Sequence, residues 1–261
     1  MATAATSAIH TSKVMFDDLL ENHSAWWEWI QGAIEFESTM KSNIPWMQLD
    51  NSQRGMIKSR FETKVPPNRL LLNSFYITLI AGFEEFLRQV IKEWASETNK
   101  KRLPHGKVNE SLLRTNIRES ARLLKRLDTP PDYIRFNESE ICRKLGTCSS
   151  GSDIVELDDD ALSDVDGLLK LENFFKRAEI FGRSITWDAL ARDQRIKEAL
   201  GIQKANTRAT ATALQDEICD MSKFRNRIAH TGGHAADVSD ATALTHKKIL
   251  AALSDVISAY R

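Results

Sequence analysis

The chain has few of the residues that build a disulfide-bonded or zinc-bound fold. It contains only 3 cysteines in 261 residues, and no two of them form a Cys-x-x-Cys pair. An odd number without such a pair argues against a disulfide framework and against a cysteine zinc site, and it fits a reducing cytosol. The N-terminus also lacks a basic stretch followed by an apolar one, so the sequence predicts no secretory signal and a cytoplasmic location.

Neither an excess of one charge nor a long apolar run is present. Lys and Arg total 36, and Asp and Glu also total 36. A general nucleic-acid-binding surface would give the chain a positive net charge. Any contact with nucleic acid must therefore come from a local cluster of basic residues. The most apolar window, 70–91, is interrupted by polar residues that include Asn73, Glu84 and Arg88. Such groups are costly in a bilayer, so we predict no membrane contact.

Helix-breaking residues are also scarce, with 6 Pro and 11 Gly clustered at a few sites. The stretches between them repeat apolar residues at helical spacing, and almost none alternates with a period of two. The sequence therefore predicts an all-α bundle, with Gly182 and Gly201 as helix C-caps and Gly232-Gly233 as a helix stop. The predicted helices are 12–40, a short one near 52–62, 68–97, 110–127, 165–181, 187–200, 210–230 and 238–260.

The apolar pattern also divides the chain. Helix 68–97 has so wide an apolar face that we place it at the centre of the bundle. Pro66-Pro67 separates an N-terminal helical extension, 1–65, from a bundle formed by 66–261. Residues 129–207 are predicted as an insertion between core helices, with a loop at 146–152 followed by an acidic segment.

A basic stripe is predicted on helix 110–127. Four arginines recur there every fourth residue and so lie along one side of the helix. Such a stripe fits an RNA backbone, and we predict that it binds RNA. A solvated helix face, or an ionic partner for the acidic segment, is the alternative. The four residues are Arg114, Arg118, Arg122 and Arg126.

The run Arg225-Asn226-Arg227-Ile228-Ala229-His230 lies in the last turns of a predicted helix. Asn226 and His230 are four residues apart and share a face, whereas Arg225 and His230 lie about 140° apart on a regular helix. Either the long Arg225 side chain reaches round the helix, or a second subunit completes the site.

These residue types suit phosphodiester cleavage. The negative end of the helix dipole favours a protonated imidazole, which moves protons, and a guanidinium stabilises charge on phosphoryl oxygens. The 2′-hydroxyl of RNA is a nucleophile that needs no metal, and we predict neither metal nor cofactor. The alternative is a purely structural role, in which Arg225 and His230 only stabilise the helix end. His230 and His234 have a metal-binding spacing, but Gly232-Gly233 between them argues against it.

Two segments resemble a known superfamily. Arg225 to His230 resembles the Arg-x(4 to 6)-His motif of the HEPN ribonucleases, in which a polar residue such as Asn226 follows the Arg. Residues 75–90, which include the run 81–87 with Glu84, resemble the long early helix of the RiboL-PSP-like HEPN branch. The resemblance covers roughly residues 66–261. It implies a HEPN-type helical bundle in which Arg225 and His230 are the catalytic pair.

The resemblance also implies roles for neighbours and partners. Asn226 would orient the catalytic pair, and Arg227 would support it. Glu84 would support it through an ion pair with Arg225, or would be only an exposed helix residue. A homodimer would bring two such pairs into one composite cleft, leaving a 2′,3′-cyclic phosphate and a 5′-hydroxyl on the RNA. Some members of the superfamily are inactive partners of active ones.

We therefore predict a metal-independent endoribonuclease that acts as a toxin or antiphage effector, with an antitoxin or defence protein as a further partner. The alternative is a non-catalytic helical module that binds a protein or RNA. Trp26, Trp27 and Trp29 bear on this alternative, because they point to nearly all sides of one helix. Core packing accounts for one or two of these rings, and the rest would form an interface or a stacking platform.

Overall fold

The computed structural model describes residues 9–43, 68–126, 128–129, 137–149, 151–231 and 238–260. Within these ranges the chain forms ten α-helices, one short 3-10 turn at His105–Lys107, and no strand. This confirms the all-α prediction. The helices are α1 Ile9–Asn43, α2 Asn68–Lys100, α3 Glu110–Leu124, α4 Glu138–Thr147, α5 Asp159–Ser163, α6 Leu171–Ile180, α7 Trp187–Arg192, α8 Gln194–Ala199, α9 Thr207–Thr231 and α10 Asp240–Ala259.

Helix α2 is the centre of the bundle, as its apolar pattern predicted. It contacts α1, α5, α6, α9 and α10. Side chains on several sides of this helix are fully shielded from solvent, because neighbours cover most of its circumference, while Ser74, Thr78 and Ala81 form an exposed strip. They include Tyr76, Leu79, Ile80, Phe83, Leu87 and Ile91.

The N-terminal helix packs directly on this bundle. Phe16 and Leu20 of α1 belong to the same hydrophobic core as α2. The two helices approach closely at Gly82, where a Cβ atom would lie 2.9 Å from the Leu19 side chain. Ser12 adds a polar anchor, since its backbone N–H and its hydroxyl donate to the Glu93 carboxylate at 3.0 and 3.2 Å. The predicted short helix 52–62 lies outside the described residues.

The predicted insertion contributes to the same core. Leu157, Leu162, Leu168 and Phe174 are fully buried in it. The side-chain amide of Asn99 on α2 forms two hydrogen bonds with the backbone of Leu157. It donates to the Leu157 carbonyl at 3.0 Å and accepts from the Leu157 N–H at 2.7 Å. Residues 151–206 are therefore packed as part of the bundle.

Several predicted boundaries were wrong for local reasons. Helix α6 begins at Leu171 instead of residue 165, because the chain turns at Gly167 with φ +64. The predicted helix 187–200 is two helices, because Asp193 is extended and its side chain caps α8 by accepting from Arg195 N–H at 2.9 Å. The predicted loop 146–152 begins late, since α4 continues to Thr147. Gly182 and Gly201 follow helix ends with φ +77 and +70, as predicted.

Candidate active site

The Arg225–His230 segment lies on the solvent side of α9. Leu214, Ile218, Met221 and Ile228 form the buried face of this helix. The remaining positions of the segment are exposed: Arg225, Asn226, Arg227, Ala229 and His230. Helix α9 continues to Thr231, directly before the predicted glycine stop. Arg225 and His230 therefore lie on one continuous helix, about 140° apart around its axis.

Glu84 of α2 pairs with Arg225. Its Oε2 atom lies 3.4 Å from Arg225 Nη2, and the Glu84 side chain is only 8% exposed whereas that of Arg225 is 45% exposed. Of the two alternatives for Glu84, a partner of Arg225 or an exposed helix residue, the first is thus the one observed. A buried carboxylate fixes the inner end of the guanidinium and leaves its outer edge open to solvent.

Asn226 and His230 share a face of α9 at i, i+4 spacing, as predicted. Both side chains are exposed. Within the part of the chain that the structure describes, no hydrogen bond or ion pair joins Arg225 to His230. The structure therefore places the three predicted catalytic residues at one end of α9 without bringing Arg225 and His230 into contact.

Arg227 occupies a different position from Arg225. Its guanidinium carbon lies 5.9 Å from the centre of the Phe224 ring, a distance at which a cation is attracted to an aromatic face. Phe224 in turn meets Tyr76 of α2 edge to face, with ring centres 6.2 Å apart. Arg227 thus adds a second cation to the end of α9.

The sequence comparison bears on the whole bundle. Residues 51–259 match the family described as RiboL-PSP-HEPN. The matched region runs from α2 to α10 and so includes the Arg225–His230 segment on α9. The chain belongs to the RiboL-PSP-HEPN family. Comparisons with curated proteins and with solved structures gave no significant match.

The match begins at residue 51, before the predicted boundary at Pro66, and it runs through the predicted insertion. For this RiboL-PSP-HEPN chain, the helices that carry Glu84 and Arg225 both fall inside the family match. Helix α1 lies outside it, although α1 packs on the core of the bundle.

A buried polar group beside the site has no signature in the sequence. His246 of α10 is 2% exposed and forms hydrogen bonds with Tyr76 Oη through Nδ1, at 2.7 Å, and with Glu217 Oε2 through Nε2, at 3.0 Å. Because a carboxylate only accepts, Nε2 carries the proton and Nδ1 of the neutral ring accepts from Tyr76. Burial lowers the pKa of His246, and the charge of Glu217 partly offsets this.

His246 thus joins α2, α9 and α10, and its partner on α9, Glu217, lies about two turns before Arg225. Its partners are 170 and 29 residues away in sequence, so spacing alone carries no signal of the group. Ring contacts extend this group to Phe224, whose ring centre lies 6.2 Å from that of His246.

The arginine stripe on α3 is divided between different ionic partners. Arg122 and Arg126 both pair with the nearly buried Asp164, at 3.0 and 3.3 Å. Arg114 pairs with Glu110, and Arg118 with Glu119. The acidic segment is thus a partner of the C-terminal half of the stripe, whereas the side chains of Arg114 and Arg118 are 79% and 71% exposed.

The tryptophan cluster on α1 is mostly outside the core. Trp26 and Trp29 are 62% and 70% exposed, and only Trp27 packs inward, with its ring 5.4 Å from that of Phe75. Core packing thus accounts for one of the three rings. Trp26 borders an apolar groove of about 570 Å³ between α1 and α2.

Metal ligands and membrane spans were also sought in the described residues. They contain no group of three or more His, Cys, Asp or Glu side chains placed to hold a metal ion. His234, the second member of the i, i+4 histidine pair, lies outside them. None of the helices in the described ranges is both long enough and apolar enough to cross a bilayer.

Proposed function

We propose that this chain is a metal-independent endoribonuclease whose active site is built on the C-terminal end of α9. The observation that carries the proposal is the Glu84–Arg225 ion pair, which holds a half-exposed guanidinium at the end of the helix that also carries the exposed Asn226 and His230. Membership of the RiboL-PSP-HEPN family supports the same reaction class. The free edge of Arg225 suits a phosphoryl group, because guanidinium and phosphate match in charge and in bidentate geometry.

In the proposed reaction the 2′-oxygen of RNA attacks the adjacent phosphorus, and the bond from phosphorus to the 5′-oxygen breaks. His230 transfers protons, from the attacking hydroxyl or to the departing oxygen. Arg225 stabilises the negative charge that develops on the non-bridging oxygens, and Asn226 orients the group that it faces. The products are a 2′,3′-cyclic phosphate and a 5′-hydroxyl, so no atom of water is consumed.

We propose further that the working unit is a homodimer with a composite site. On one continuous helix Arg225 and His230 lie about 140° apart, which is too far round the axis for both to meet one phosphate easily. A two-fold axis next to the end of α9 would place Arg225 of one subunit against His230 of the other.

The test is cleavage of a panel of RNAs by wild type, Arg225→Ala and His230→Ala, with the RNA ends mapped. We expect cleavage by wild type only, the helical circular dichroism of both variants being unchanged and cleavage continuing in EDTA. Arg208→Gln is the matched control, because Arg208 is an exposed cation on α9 about 25 Å from Arg225 along the helix. Cleavage that persists in the two active-site variants would refute the assignment.

The biological role we propose is a toxin or antiphage effector in the cytoplasm, kept in check by an antitoxin or defence protein. Expression of wild type should arrest growth, whereas His230→Ala should be tolerated. Equal toxicity of the two proteins would contradict a role that depends on RNA cleavage.

A second candidate function is a non-catalytic interaction module. The exposed rings of Trp26 and Trp29, 6.4 Å apart, favour it, because large apolar side chains on a surface are typical of interfaces. Wild-type protein that leaves every RNA intact, yet forms a stable complex with the product of an adjacent gene, would favour this function over the nuclease.

A further inference from the structure

A polar cavity lies away from the Arg225 segment. Helices α3 and α6 and the turn at Asp164–Asp166 line a space of about 390 Å³. Each helix contributes positions i, i+3, i+4 and i+7, that is 115, 118, 119 and 122 from α3 and 173, 176, 177 and 180 from α6. Its volume falls in the range of small-ligand sites.

The most unusual group in this cavity is Arg177. It is only 8% exposed, and its Nη1 atom is buried without a hydrogen-bond partner among the described residues. The ion pair that it forms within the described part of the chain, from Nη2 to Glu119 Oε1, is long at 3.4 Å. Burial lowers the pKa of Arg177, and the charges of Arg118 and Arg122 lower it further, against the opposing effect of Glu119. A buried guanidinium with an unsatisfied donor is costly unless something else supplies the acceptor.

The carboxylates of the cavity do not supply it, because other cations already share them. Glu119 lies within 3.4 Å of guanidinium nitrogens of Arg118, Arg122 and Arg177. Asp164, which is 2% exposed, pairs with both Arg122 and Arg126.

The exposed part of the cavity adds more positive charge. Lys176 is exposed and makes no ion pair among the described residues, and Arg118 is 71% exposed. The one carboxylate on the open side, Asp166, is 85% exposed and lies 3.5 Å from Arg122, so that solvent screens it. The cavity is thus lined by four cationic side chains and three carboxylates, and two of the three carboxylates are buried between guanidiniums. Arg126, outside the lining, also pairs with Asp164.

We propose that this cavity binds a phosphate group, with Arg177 below the ligand and Lys176 and Arg118 at its mouth. An oxyanion provides several acceptor oxygens at once, so it can satisfy the Arg177 donor and also neutralise the excess of positive charge. The binding site does not depend on ribonuclease activity and is separate from the Arg225 segment in residues and in helices.

The test measures the effect of inorganic phosphate on the thermal unfolding of the full chain, against sodium chloride at equal ionic strength. Ligand that binds only the folded state raises Tm in a saturable way. We expect this rise in wild type, and a phosphate affinity about tenfold weaker in Lys176→Gln and in Arg118→Gln, as befits the loss of one charge-assisted contact.

Two further variants make the result decisive. Arg177→Gln should abolish the phosphate-dependent rise in Tm. Because the substitution removes a buried charge, the Tm of this variant without phosphate should be unchanged or higher than that of wild type. Lys223→Gln, an exposed cation on α9, should keep the full rise. No rise in wild type, or an equal rise in all variants, would overturn the proposal.

Two further ligands identify the kind of molecule that carries the phosphate group. A 2′-O-methyl oligonucleotide, which lacks the nucleophile for cleavage, is compared with and without a 5′-phosphate. If the 5′-phosphate strengthens binding in wild type but not in Lys176→Gln, the ligand is an RNA end. If it has no effect while a nucleoside triphosphate competes with inorganic phosphate, the ligand is a small phosphorylated molecule.

Discussion

Replacing Arg225 should destabilise the fold as well as remove activity, because Glu84 then stays behind. Exposed ion pairs contribute about 0 to 1 kcal/mol, whereas removing one partner of a fully buried pair costs about 3 to 5 kcal/mol. Here the carboxylate is 8% exposed, the guanidinium is 45% exposed and the contact is 3.4 Å long. We therefore expect Arg225→Ala to lower the free energy of unfolding by about 1 to 2 kcal/mol, between these limits.

The double variant Glu84→Gln/Arg225→Ala separates stability from catalysis. Gln has nearly the shape of Glu but no charge, so the buried group no longer needs a cation. Urea denaturation followed by circular dichroism should show that the double variant regains about 1 kcal/mol relative to Arg225→Ala. RNA cleavage should stay absent. If the double variant is no more stable than Arg225→Ala, the two side chains are not coupled. If cleavage returns, Arg225 acts only on stability.

Three further predictions follow from the same structure. Mixing Arg225→Ala with His230→Ala should restore about a quarter of wild-type cleavage, because half of the dimers are mixed and each has one intact composite site; an intrasubunit site would give none. Tyr76→Phe should cost about 1 to 3 kcal/mol in urea denaturation, because it leaves His246 Nδ1 buried without a donor; a loss below about 0.5 kcal/mol would contradict this. The free energy of unfolding should also decrease as the pH is lowered, and part of this decrease should depend on His23.

The reason for the pH effect is the burial of His23. Burial, aided by the charge of Lys247, lowers the pKa of His23 from 6.5 to about 4. The folded state therefore keeps the ring neutral while the unfolded state binds a proton below 6.5, so this contribution to stability is present above pH 6.5 and is lost as pH falls towards 4. Urea denaturation of His23→Gln should show a shallower loss between these values than wild type, and His105→Gln serves as the control. Parallel pH profiles for wild type and His23→Gln would contradict the assignment.

The helices and their order could be predicted because helix signals are local. The apolar repeat of α2 identified it as the central helix, and Gly182 and Gly201 marked helix ends through backbone conformations that glycine adopts easily. The errors were also local in origin. Asp193 breaks one apolar pattern into α7 and α8, and the periodicity of the pattern does not record such a break.

The sequence by itself determined that the chain is helical, that α2 lies at its centre, and that Arg225, Asn226 and His230 stand at one helix end. Only the tertiary structure decided what these side chains meet. The Glu84–Arg225 pair joins residues 141 positions apart, and Tyr76 meets His246 across 170. The physical reason is that a helix fixes only which of its residues share a face. Which faces meet depends on how the helices pack.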